Sequence, residues 1–103
     1  MQIQREEISY EPAIEIPPWE RRRTPIAQYK YKDRDFLVFT TPESELIYAS
    51  WIWIIVYEID IGFGGRAAGL KEECIFSGCA MGPINSNIFD EWVKAHLKNN
   101  LSR

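Results

Sequence analysis

The stretch that decides the fold is Trp51-Ile52-Trp53-Ile54-Ile55-Val56-Tyr57-Glu58-Ile59-Asp60-Ile61. Its first half is β-branched and aromatic throughout, which suits a pleated strand better than a helix. From Tyr57 onward the residues alternate, with Tyr57, Ile59 and Ile61 opposite Glu58 and Asp60. That period of two marks a strand with one wet face. We therefore expect a long central strand over about 47–61, apolar on both faces at first and one-sided at its end. Thr41-Pro42-Glu43-Ser44-Glu45, just before it, fits either a hairpin loop or a helix start. A short helix at 42–49 feeding a strand at 51–61 is the second reading.

Upstream, residues 26–32 set Ala27, Tyr29 and Tyr31 against Gln28, Lys30 and Lys32. Asp33-Arg34 reads as a polar turn, and Phe36 to Thr40 as a short buried strand, so the pair predicts a hairpin. Residues 8–16 also alternate, with Pro12 placing that strand at an edge or a bulge. Pro17-Pro18 ends it. Downstream, Gly62-Phe63-Gly64-Gly65 breaks the central strand. Arg66 to Gly69 reads as loop or short helix, and 72–77 as a further strand.

The last segment is the clearest. Phe89, Trp92, Val93, His96 and Leu97 form one stripe at helical spacing. Ser86 or Asn87 caps this helix over about 87–99, and its charges suit the helix dipole. Short connections require antiparallel pairing, since parallel strands need long crossovers. The expected fold is α+β: an antiparallel sheet of four to five strands with the C-terminal helix packed on one face. Residues 1–103 read as one small domain. Trp51 and Trp53 are expected under the helix, leaving Ile52, Ile54 and Val56 on the other face to be covered.

The 103 residues are 46% hydrophobic and 26% charged, with a net charge of −3, which excludes disorder and coiled coil. A generic nucleic-acid binder is expected to be basic, so nucleic acid is a poor partner. The imbalance lies in residues 36–70, where Arg66 stands against Glu43, Glu45, Glu58 and Asp60. The longest apolar run, Leu46 to Tyr57, is too short for a membrane span of roughly 20 residues. The first residues have no apolar core of a signal peptide. A cytoplasmic protein is the expectation. Cys74 and Cys79 are read as reduced, partly buried thiols, with a local disulfide as the alternative. With one histidine they cannot complete a zinc site unaided, so no metal and no cofactor are expected.

Several strings invite a chemical reading. Gly62, Gly64 and Ala67 match G-x-G-x-x-A after a strand, as in a dinucleotide site. The following βα unit and the acidic residue expected about 20 positions later are missing. His96 could serve Cys74 or Cys79 as a base, but a packed residue on the helix stripe is the simpler reading. Glu58 and Asp60 lie about 6–7 Å apart on one strand face, a spacing that would suit a carboxylate pair, but a solvated strand face is the preferred reading. Arg21-Arg22-Arg23 beside Trp19 could bind an acidic surface.

With no catalytic motif, the expectation is a non-enzymatic protein-binding module. Its most concrete form is a small intracellular inhibitor, such as an immunity protein or antitoxin that neutralises a toxin. An acidic surface would suit a basic partner such as a nuclease. The expected contacts are Glu43, Glu45, Glu58 and Asp60, with Trp19 and Arg21, Arg22 and Arg23 as a second region. The alternative is a homo-oligomeric structural subunit, a homodimer in its simplest form, that buries Ile52, Ile54 and Val56 against its own copy. A small enzyme or ligand carrier using the Gly62–Arg66 loop is a third reading.

Overall fold

The computed structural model describes residues 2–8, 24–40, 51–65 and 67–102. Its elements in chain order are β1 (Gln4–Glu6), β2 (Thr24–Tyr31), β3 (Arg34–Thr40), β4 (Trp51–Ile61), β5 (Ala67–Leu70), β6 (Phe76–Met81) and the helix α1 (Asn87–Leu101). All the strand pairs are antiparallel, in the order β1-β2-β3-β4-β5, with β6 also on β4. The α+β fold expected from the sequence is the one observed, with one or two more strands.

β5 and β6 share one edge of β4. Ile59 pairs with Leu70 and Val56 with Phe76, so the chain loops out between them. The Lys71 N–H donates to the Glu58 carbonyl at 3.0 Å and the Ile75 N–H to the Val56 carbonyl at 2.8 Å. These two bonds fasten the ends of the bulge. Glu72, Glu73 and Cys74 are thereby thrown into solvent.

Several boundaries depart from expectation. Residues 67–70, read as loop or helix, form β5. The strand placed at 72–77 starts instead at Phe76, because the bulge occupies its first half. The β2–β3 turn is Lys32-Asp33, since Tyr31 pairs with Arg34. The strand expected at 8–16 and the helix or strand alternatives at 41–50 lie outside the described residues, save that Ile8 packs on the helix-free face. β1 was not anticipated.

α1 follows its sequence signals closely. The Ser86 hydroxyl accepts the Phe89 N–H at 3.2 Å and donates to the Pro83 carbonyl at 2.7 Å, satisfying one of the helix's free N–H groups. At the other end the Ser102 N–H and hydroxyl both donate to the Lys98 carbonyl. The stripe Phe89, Val93 and Leu97 is fully buried. It lies on the face of Ala27, Tyr29, Phe36, Val38, Ile52, Ile54, Val56 and Ala80.

The faces of β4 are therefore the reverse of the expectation. Ile52, Ile54 and Val56 are under the helix, and Trp53 is on the other side. The cause lies in β6. Its Phe76, Gly78 and Ala80 face α1, and the Trp92 ring lies so close to Gly78 that a Cβ there would sit 3.3 Å from it. Two small residues leave the room that the helix fills.

Candidate functional site

The helix-free face is graded along β4. Toward its end Leu37, Phe39, Tyr57 and Ile59 form a second buried cluster, joined by Ile8, Ile55 and Leu70. Phe39 and Tyr57 meet edge to face at 6.0 Å, the geometry favoured by aromatic quadrupoles. Toward its start the apolar side chains are more exposed. Trp53 is 41% exposed and Met81 50%. Trp53 stands opposite Cys79, with Met81 two residues further along β6. Directly opposite residues in an antiparallel pair point to the same face. Trp53, Cys79 and Met81 thus make one exposed apolar strip.

The strip turns the corner of the sheet. Gly82, with a φ of 80°, lies against Ile88, whose Cβ is 3.0 Å from where a Gly82 side chain would begin. Ile88 is itself largely exposed. Sequence reasoning missed Met81 and Ile88. The signal lay in the alternation of Ser77, Cys79 and Met81 with Phe76, Gly78 and Ala80, once β6 is placed correctly.

Glu58 lies on the other side of β4, beyond the helix. It is buried, not on a solvated face as expected. The Arg34 guanidinium grips it with two bonds, Nη2–Oε1 at 2.6 Å and Nε–Oε2 at 3.1 Å. The Lys71 ammonium adds a third at 3.1 Å. The Arg34 bonds hold the Glu58 carboxyl below its ordinary pKa; burial pulls the other way, and Lys71 reinforces Arg34. With its oxygens committed to two internal cations, Glu58 is a structural anion. Asp60 is exposed. Glu43, Glu45, Trp19, Arg21, Arg22 and Arg23 lie outside the described residues.

A second carboxylate ties the helix to the sheet. The buried Tyr29 hydroxyl donates to Asp90 Oδ1 at 2.7 Å, and Lys94 reaches Oδ2 at 3.0 Å. Arg5, 3.8 Å from Oδ1, also donates to the Ile84 carbonyl and the Asn85 side chain. This network fastens β1 and β2 to the start of α1.

The remaining candidates resolve structurally. The glycine string is a hairpin connection: a 3-10 turn over Phe63–Gly65 leads into β5, not into a helix. Without a helix N-terminus the dinucleotide geometry is absent. Phe63 stands at its tip, fully exposed. His96 is stacked on Trp92 at 3.8 Å and lies near Phe76. Its Nδ1 is 2.9 Å from the Trp92 carbonyl. Cys79 is on the opposite face of the sheet. Both cysteines are free, but exposed rather than partly buried. Among the described residues no three His, Cys, Asp or Glu side chains gather as a metal site, and no helix is long and apolar enough to cross a membrane.

The chain matches none of the family models, curated proteins or solved structures with which it was compared.

Proposed function

We propose that this chain is a non-enzymatic protein-binding module, acting inside the cell, and that it meets its partner through the strip Trp53–Cys79–Met81. The observation that carries this reading is the strip itself. A contiguous apolar surface anchored by a tryptophan is the usual core of an interface. Asp60, at the far end of β4, supplies the one exposed carboxylate of the original acidic set among the described residues. In its most concrete form the module is a small inhibitor, an immunity protein or antitoxin, that covers the working surface of a basic toxin. The net charge of −3 favours such a partner through steering.

Site-specific photocrosslinking tests this directly. A photoreactive amino acid at position 53 should yield a discrete heavier band in cells of the source organism. The same group at position 95, exposed on α1, should not. Identical patterns at the two positions, or a lone band at twice the chain mass, overturn the reading. With the partner identified, Asp60→Lys should weaken binding and flatten its salt dependence.

A further inference from the structure

We propose that Cys79 and Met81 hold a soft monovalent metal ion, Cu(I), on the exposed face of β6, with the Trp53 ring at its flank. The site stands on the chemistry of these three side chains and needs no partner protein.

The chain has two cysteines, two methionines and four tryptophans among its 103 residues, and one of each meets here. Cys79 and Met81 are two positions apart in β6. They therefore share a face, about 7 Å apart at the rise of a strand. Trp53 is directly opposite Cys79 on β4, and side chains so placed begin about 5 Å apart. All three are exposed. A metal–thiolate bond is about 2.3 Å long, so one ion spans two sulfurs about 4.6 Å apart. The Met81 thioether turns on three single bonds and closes the difference.

The donor set selects the ion. Thiolate and thioether are soft ligands that suit Cu(I) rather than hard divalent cations. Calcium and magnesium need several oxygens, and along this row β6 offers only the Ser77 hydroxyl. Zinc takes four ligands. His96 is on the opposite face of the sheet, and no three His, Cys, Asp or Glu gather among the described residues. Cu(I) accepts two sulfurs, and a tryptophan ring is the best π face for a cation within about 6 Å. Binding is a ligand exchange. The Cys79 S–H gives its proton to water as the sulfur–copper bond forms, and the copper stays Cu(I). Both sulfurs remain open to solvent, unlike the closed shell of a structural site, so the ion is held exchangeably. Cys74 is the contrast. It too is exposed, but its chain neighbours are Glu73 and Ile75, and it offers a thiol alone.

The test uses the full chain without oxygen, titrated with Cu(I) against a chromogenic chelator, and with Ag(I) as a redox-inert analogue. Cys74→Ser should compete for one equivalent of metal, with a change in tryptophan fluorescence. Cys79→Ser, which keeps Cys74, should lose the competition. Met81→Leu, close in shape, should weaken it by about tenfold, near 1.4 kcal/mol. In the unsubstituted chain with 13C-labelled methionine methyls, one equivalent of Ag(I) should shift the Met81 signal, a readout that requires no variant to fold. Equal affinity in Cys74→Ser and Cys79→Ser overturns the proposal, because a lone thiol would then suffice. So does a Met81 methyl that stays in place while metal binds, or a Cys74→Ser chain that takes up none.

Discussion

The two faces of β4 have nearly the same apolar content and different fates. Ile52, Ile54 and Val56 lie under α1 and are sealed from water. Trp53, Ile55, Tyr57 and Ile59 run from half-exposed to buried along one strand. Hydrophobicity alone does not decide which face becomes core. The decision rests on the neighbours: small residues in β6 admit a helix on one side, and a row of exposed Ser77, Cys79 and Met81 continues the other.

The strongest way to break this comparison is to truncate one residue on each side. Leu97→Ala removes a fully buried side chain and leaves a cavity under the sheet. It should cost about 3 kcal/mol. Trp53→Ala removes a larger side chain that water already reaches, and should cost only about 1 kcal/mol. Urea midpoints at one protein concentration measure both. Equal losses would mean that the strip around Trp53 is core, and the interaction surface would go with it.

How much of this was legible in the sequence follows the same division. The helix from Ser86 onward could be read because its cap, stripe and charges all point to one answer. The β2–β3 hairpin and β4 were likewise plain from alternation. What the sequence left hidden were choices between equals. Trp51/Trp53 and Ile52/Ile54/Val56 are two apolar sets, and only Gly78 and Ala80 show which one the helix takes. Glu58 looked like a wet residue because its alternation with Tyr57 and Ile59 is that of a solvated face. Its partners Arg34 and Lys71 are remote in sequence, and no local pattern reports them. The bulge at 72–74 hid β6 by shifting its start past Cys74 and Ile75.

The two anchored carboxylates sharpen the comparison on a smaller scale. Asp90 joins the helix to the covered face, and Glu58 clamps the sheet beyond the helix. Burial alone would raise the Asp90 pKa, but the Tyr29 hydroxyl, Lys94 and Arg5 together hold it low. Tyr29→Phe removes a buried bond to a charged acceptor and should cost about 2 kcal/mol. Glu58→Gln should cost less, about 1 kcal/mol, because Arg34 and Lys71 are both well exposed and water screens them. The pH dependence has opposite signs at the two ends of the scale. Glu58 and Asp90 are depressed in the fold, so their contribution is present above the unfolded carboxylate pKa of about 4 and is lost as pH falls through the folded values. Burial, and then the bond to Asp90, push the Tyr29 phenol above its ordinary value. Its contribution is therefore full below about pH 10 and declines above it. Thermal melts across pH should show a flatter acid limb for Glu58→Gln and a flatter alkaline limb for Tyr29→Phe. A Glu58→Gln chain with the parent's acid limb would remove the clamp from this account.

The smallest effect belongs to the hairpin turn that aligns Arg34 with its partner. Lys32 takes a φ of 53°, in the left-handed region that costs a residue with a Cβ about 1–2 kcal/mol. Its ammonium lies 5.3 Å from the Tyr31 ring centre, an exposed contact that offsets part of that cost, about 0.5 kcal/mol. Glycine at this position relieves the backbone but gives up the ring contact and orders a freer unfolded chain. The balance predicts a gain of about 0.5 kcal/mol for Lys32→Gly, with no change in the acid limb, because the register from Tyr31–Arg34 onward is unaffected. A loss of stability instead would mean that the turn is held by its side chain and not strained by its backbone. The Arg34–Glu58 clamp would then depend on Lys32 as well as on the strands.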